Sequence, residues 1–165
     1  MKKIYSSPKF LSHQRRKAMK IAIGSDMQAH VLEVAVEELK KRGHEVVPYG
    51  ALLTSTAPWP KVGMEVAEQV AEGKVDQALV FCWTGTGVSM AANKVAGARA
   101  ALCWDAQTAA GAREWNDANI LAMSLRYTSE ELLREMLDAW FSHDPSTDEE
   151  DAACIRYLKE KDRAD

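Results

Sequence analysis

The chain has 165 residues, of which 47% are hydrophobic and 27% charged, with a formal net charge of −3. That length suits one domain with a sizeable core, and the mild acidity speaks against a nucleic-acid-binding face, which would be basic. No apolar run reaches the ~20 residues that span a membrane, and three cysteines without CxxC spacing (Cys82, Cys103 and Cys154) argue against a disulfide scaffold or a zinc site and for a reducing cytoplasm.

Residues 1–18 are basic and polar (Lys2, Lys3, Lys9, Arg15, Arg16, Lys17) and lack the apolar centre of a secretory signal. The expectation is a disordered leader ahead of a domain that starts at Met19, with a targeting peptide or a basic interaction arm as the alternatives. Lys20 to Ser25 reads as the first strand, with Asp26 at its end. Gln28 to Arg42 has apolar residues at helical spacing (Leu32, Val36, Leu39), and Gly43 stops it. His44 to Gly50 is a strand that Pro48 assigns to a sheet edge, because proline cannot donate to a ladder. After a loop from Ala51 to Pro60, Lys61 to Glu72 is a helix and Gln77 to Cys82 a buried strand.

A glycine-rich turn, Trp83-Thr-Gly-Thr-Gly87, leads into a third helix ending near Gly97. Arg99 to Cys103 is the fourth strand, followed by a helix from Asp105, a good N-cap, to Glu114. Ala118 to Met123 is the fifth strand. Thr128-Ser-Glu-Glu131 has the form of a capping box opening a helix to about Phe141. After a break at His143 to Thr147, Asp148 to Lys161 reads as a last helix with Ala153, Ile155 and Leu158 as its apolar members, packed on its own domain or on a partner. Strands alternating with helices predict an α/β sandwich, Rossmann-like, with a five-stranded parallel sheet in the order 2-1-3-4-5 plus a C-terminal helix. The domain is expected over 19–147, with 148–165 as the terminal helix. Ligands bind such sheets where the order reverses, between strands one and three.

Asp26 and Cys82 both sit at that reversal. A cysteine closing a strand is usually a small buried hydrophobe. A following helix start changes the balance, because it favours the thiolate, which serves as nucleophile or base. Cys103 and Cys154 read as packing residues. Thr84-Gly-Thr-Gly87 lacks both the three-glycine dinucleotide fingerprint and a phosphate-loop lysine, yet its glycines admit a ligand to the backbone and the helix amides after it favour anionic oxygens. Asp26 orients a ligand hydroxyl or caps the first helix. Asn116 and Asn119 contact ligand or satisfy local backbone, and Arg126 holds an anion or is a solvated charge.

The segment from Met19 to about Phe141 resembles the type B ribose-5-phosphate isomerase family, which also contains galactose-6-phosphate isomerase subunits. The resemblance rests on Lys20-Ile-Ala-Ile-Gly-Ser-Asp26, on Cys82 with Thr84-Gly-Thr-Gly87 and Ala91-Ala-Asn-Lys94, on Gly97-Ala-Arg-Ala-Ala-Leu-Cys103, and on Asn116-Asp-Ala-Asn119. It implies a metal-independent aldose–ketose isomerase of sugar phosphates without a cofactor, a homodimer or dimer of dimers with shared sites, working through a cis-enediolate. Cys82 takes the role of base, with Thr84 beside it in the catalytic set. Gly85, Thr86 and Gly87 form the oxyanion cradle with Ser89 behind them, Asp26 and Asn116 hold the sugar, and Arg126 matches a phosphate-contacting arginine.

The chain also departs from the family pattern. Met27 and Trp115 stand where the family carries histidines, Trp83 where it carries glycine, and Trp59 where it carries tyrosine. Trp83 and Trp115 offer apolar surfaces for a sugar ring and shuttle no protons. The tail has Asp148-Glu-Glu-Asp151 and Arg156 where the family carries phosphate-binding arginines. An open-chain or short substrate suits these changes, since it needs no ring-opening acid. A non-catalytic sugar-binding subunit, or an isomerase or epimerase of a different sugar, phosphorylated or not, is the alternative.

Overall fold

In the computed structural model, which describes residues 17–162, each apolar run read as a strand is one: β1 (Lys20–Ser25), β2 (Glu45–Gly50), β3 (Gln77–Cys82), β4 (Ala100–Leu102) and β5 (Ile120–Ser124). The expected leader, 1–18, lies outside the described residues except for its last two. Six helices alternate with and follow the strands: α1 (His30–Lys41), α2 (Trp59–Ala71), α3 (Thr86–Ala92), α4 (Ala106–Asn116), α5 (Glu130–Ser142) and α6 (Glu149–Lys161). All the strand pairings are parallel.

The sheet order is β2-β1-β3-β5-β4. The five-stranded parallel sheet and its reversal next to β1 are as expected, but the last two strands exchange places. Burial explains this. β5 is buried at all five positions and suits the interior, whereas β4 is three half-buried residues and suits an edge. Pro48 in β2 occupies the other edge, as its missing donor requires.

Side-chain alternation divides the sheet into two unequal faces. Ile21, Ile23, Leu79, Phe81, Leu121 and Met123 point to a thick core shared with α1, α4 and α5. Ala22, Ala78, Val80, Cys82, Ile120 and Ala122 point to a thinner core under α2 and α3. Smaller residues let those two helices come close. A Cβ on Gly24 would meet Val62 and Val66 at 2.8 Å, and one on Gly63 would meet Ala91 at 2.8 Å. Each large aliphatic side chain in the thick core contributes roughly 1.5–3 kcal/mol of burial.

Three local expectations change. Ala29, not Asp26, precedes the first turn of α1, and Ser129, not Thr128, caps α5, its hydroxyl accepting from the Leu132 amide at 3.2 Å. Cys154 is exposed rather than packed. Asp105 caps α4 as its type suggests, accepting from the Thr108 amide at 2.6 Å. α6 lies against α4 of its own chain, held by buried Ile155, Lys159 on Asp117 (2.5 Å) and Arg99 on Asp162 (3.6 Å), while Ala153 and Leu158 stay exposed. Asp148 caps it, and the acidic run forms its first turn, where the helix dipole favours carboxylates.

Candidate active site

Ser25 pairs with Phe81 at the ends of β1 and β3, so Asp26 and Cys82 leave the sheet side by side. Adjacent strands lie about 4.8 Å apart, which puts both side-chain origins within reach of one small ligand. Cys82 is 5% exposed and packs among the α2–α3 core residues. The Oδ1 atom of Asp26 is buried without a hydrogen-bond partner. That burial pushes the carboxyl above its ordinary pKa, against the opposing pull of the Asp26 and Met27 amides. A hydroxyl donor from a ligand would satisfy it. Met27 pairs with Thr56 in an isolated bridge, and the Ala57 amide donates to the Asp26 carbonyl at 2.9 Å, so the loop before α2 forms one wall.

Gly85 makes the turn out of β3 at φ +78°, a conformation that favours glycine. Its amide folds back onto the Cys82 carbonyl at 3.2 Å, and the Ser89 amide bonds to the Gly85 carbonyl at 3.2 Å. The amides of Thr86 and Gly87 come first in α3, where no preceding turn offers acceptors. The expected cradle of Gly85, Thr86 and Gly87 is thus narrowed to its last two members. Thr84 and Thr86 join hydroxyls at 2.7 Å beside them, and half-buried Ser89 follows in the helix. The Trp59 indole lies on Gly87, 2.9 Å from where a Cβ would be. Trp83, next in the chain after Cys82, is 52% exposed.

Sequence reasoning missed Ser124. Its buried hydroxyl donates to the Trp83 carbonyl at 2.8 Å and accepts from the Arg126 and Tyr127 amides. The Leu125 and Arg126 amides bond to the carbonyls of Cys82 and Trp83 at 3.0 and 3.1 Å. The end of β5 therefore clamps the turn that carries Cys82, and only a strand-ending serine hinted at it. Arg126 is exposed, its guanidinium 5.1 Å above the Tyr127 ring and without a carboxylate partner among the described residues. Thr84, Trp104, Tyr127 and Ser124 border a mostly apolar cavity of about 150 Å³ on this side of the loop, floored by Cys103. Burial raises the Cys103 thiol to about 12, so it stays protonated at neutral pH.

Trp115 and Asn116 are not brought to this place. α4 starts at the carboxyl end of β4 and ends ahead of β5, so both residues lie at the opposite end of the sheet from Cys82. Trp115, 53% exposed, rests on Gly111 and borders an open groove of about 860 Å³ with Asn116, Arg99, Leu158 and Asp162. Asn119 is structural: it accepts from the Arg99 amide at 2.7 Å and donates to the Gly97 carbonyl at 2.9 Å. The exposed Asn116 side chain has no such partner among the described residues. No three His, Cys, Asp or Glu side chains among the described residues cluster as metal ligands would.

A family model described as Ribose/Galactose Isomerase matches residues 21–156. Ribose-5-phosphate isomerase B of Escherichia coli is 39% identical over 122 residues, 73% of this chain and 82% of the relative. D-erythrulose-4-phosphate isomerase of Pectobacterium atrosepticum is 36% identical over 124 residues, 74% and 82% of the two chains. The solved structure of ribose-5-phosphate isomerase B from Clostridium thermocellum superposes with a TM-score of 0.81 at 38% identity, covering 88% of this chain and 98% of that one. Shared fold, shared length and shared sequence agree: this chain belongs to the ribose/galactose isomerase family of sugar-phosphate isomerases.

Proposed function

We propose that the protein is a metal-independent aldose–ketose isomerase of a sugar phosphate, with Cys82 as the base and a cis-enediolate as the intermediate. The supporting observation is the pairing of β1 with β3. It sets Cys82 beside Asp26, whose Oδ1 has no hydrogen-bond partner, next to the first amides of α3. The Cys82 thiolate takes the proton from C2 of the open aldose, and that electron pair forms the C1–C2 double bond as the carbonyl becomes an oxyanion. The Thr86 and Gly87 amides stabilise that oxygen. The proton on sulfur then returns to C1 while the hydroxyl proton moves from O2 to O1, beside Thr84, leaving the ketose. Asp26 accepts a sugar hydroxyl, and Arg126 faces the phosphate.

On this reading the working unit is a homodimer, or a dimer of dimers, in the cytoplasm. A second copy supplies Trp115 and Asn116. Among the described residues no helix is long and apolar enough to cross a membrane.

The test replaces Cys82 by Ala and follows both turnover and solvent deuterium entering the carbon-bound positions of the sugar. Loss of about 10²–10⁴-fold in kcat, the contribution of a positioned base, is the expected result. Undiminished turnover removes the assignment. The 5% exposure of Cys82 favours one competing reading, a subunit that binds sugar without transforming it. Such a binder shows saturable binding and no deuterium exchange in the unmodified protein.

A further inference from the structure

We infer that, if the isomerase reading above holds, the substrate is a sugar phosphate unable to close a ring: a four-carbon aldose or ketose 4-phosphate. Aldose–ketose interconversion starts from the free carbonyl. A pentose 5-phosphate hides that carbonyl in a furanose closed through O4, and opening it requires a proton delivered to the ring oxygen, the work of a positioned acid. In a tetrose 4-phosphate O4 carries the phosphoryl group, and closure through O3 would give a four-membered ring. Such a substrate presents its carbonyl without help from the protein.

The surroundings of Cys82 are built for the second case. Near Cys82 in the fold stand Met27, which pairs with Thr56, Trp59, which lies on Gly87, and the loop that runs from Trp83 into α3, and none of these side chains carries a proton to a ring oxygen at neutral pH. The described histidines are committed elsewhere. His30, although it starts α1 at the same end of the sheet, has both ring nitrogens on carboxylates, Glu33 at 3.2 Å and Glu130 at 3.0 Å. His44 takes the Met19 amide at 3.2 Å, and His143 bonds the Ala139 carbonyl at 2.8 Å. On the proposed reading a second copy completes the site with Trp115 and Asn116, an indole and an amide, neither of them an acid at neutral pH. The neighbouring Asp117 is held by Arg113, Arg99 and Lys159.

Asp26 is the carboxyl that the end of β1 sets beside Cys82, and its buried Oδ1, without a partner, can receive a hydroxyl. The Trp59 indole against Gly87 also takes up room that a longer polyol would use. The relative named D-erythrulose-4-phosphate isomerase shows that this scaffold accommodates a four-carbon phosphate.

The experiment compares kcat/KM of the full chain for D-erythrose 4-phosphate, D-ribose 5-phosphate and 4-deoxy-D-ribose 5-phosphate. The last keeps the pentose length but lacks the ring-closing oxygen. Both acyclic substrates should exceed ribose 5-phosphate by about 100-fold or more, the contribution a general acid makes. Ribose 5-phosphate turned over within about tenfold of the tetrose, a difference of only about 1.4 kcal/mol in barrier, overturns the inference and leaves the isomerase reading standing. A fast tetrose with a slow 4-deoxypentose overturns it in favour of selection by length. No turnover of all three overturns both.

Discussion

Burying Asp26 with an unmet oxygen costs the free protein stability, and on the proposed reading a ligand hydroxyl relieves that cost. Its buried Oδ1 lacks a donor, and the carboxyl is held above its ordinary value by burial. A raised carboxylate pKa means that the folded chain binds this proton more tightly than the unfolded one. The resulting cost is absent below the unfolded value and complete above the folded one. Asp26→Asn should therefore raise Tm at pH 7, with the gain vanishing in strongly acidic solution. The same change should lower kcat/KM by roughly 10–100-fold, the worth of a charge-assisted hydrogen bond of about 1.5–3 kcal/mol. It should also erase an acid limb of the kcat/KM profile displaced upward from the ordinary Asp value. Thermal melts and pH–rate profiles of the two proteins check both effects. A variant equally active across pH, or less stable, would show that the carboxylate neither binds substrate nor strains the fold.

On the proposed reading the element that carries the chemistry is the turn from β3 into α3, and Gly85 decides its shape. A Cβ there would meet Leu102 Cδ1 at 2.6 Å and the Met123 carbonyl carbon at 2.8 Å, besides adopting φ +78°. Gly85→Ala should destabilise the protein by about 2 kcal/mol or more, the left-handed penalty of roughly 1–2 kcal/mol plus the clash. It should also depress turnover, because the Thr86 and Gly87 amides shift with the turn. Gly87→Ala presses only on the Trp59 indole, a side chain that can swing, so chemical denaturation should find it closer to the parent.

These elements were legible because apolar runs, glycines and caps are local signals. The neighbour of β3 was not, since sheet order depends on which strand can be buried on both faces. The contrast between Ile120–Ser124 and the short Ala100–Leu102 carried that information only in three dimensions. Asp26, Cys82 and the Gly-rich turn stood out as residue types at strand ends. The Ser124 clamp did not, because a hydroxyl closing a strand looks ordinary until its partners, the Trp83 carbonyl and the two following amides, are in place.

At the scale of the molecule, the candidate residues occupy two ends of one sheet. Six residues of strand extend for about 20 Å, so no side chain spans from Asn116 to Cys82 within a copy. If both act on one sugar, a twofold pair must set the carboxyl end of one sheet against the end of α4 in the other, twice. Large aromatic surfaces are open at both places, Trp83, Trp104 and Tyr127 at one and Trp115 at the other. This arrangement is testable without a structure of the pair. Cys82→Ala and Asn116→Ala should each be impaired alone. Subunits of the two mixed and reassociated at random form half of their dimers as hybrids. In each hybrid both lesions fall on one site, leaving the other intact, so activity should recover to about a quarter of the parent's. A site made within one copy would place one lesion in each site of a hybrid, and mixing would restore nothing.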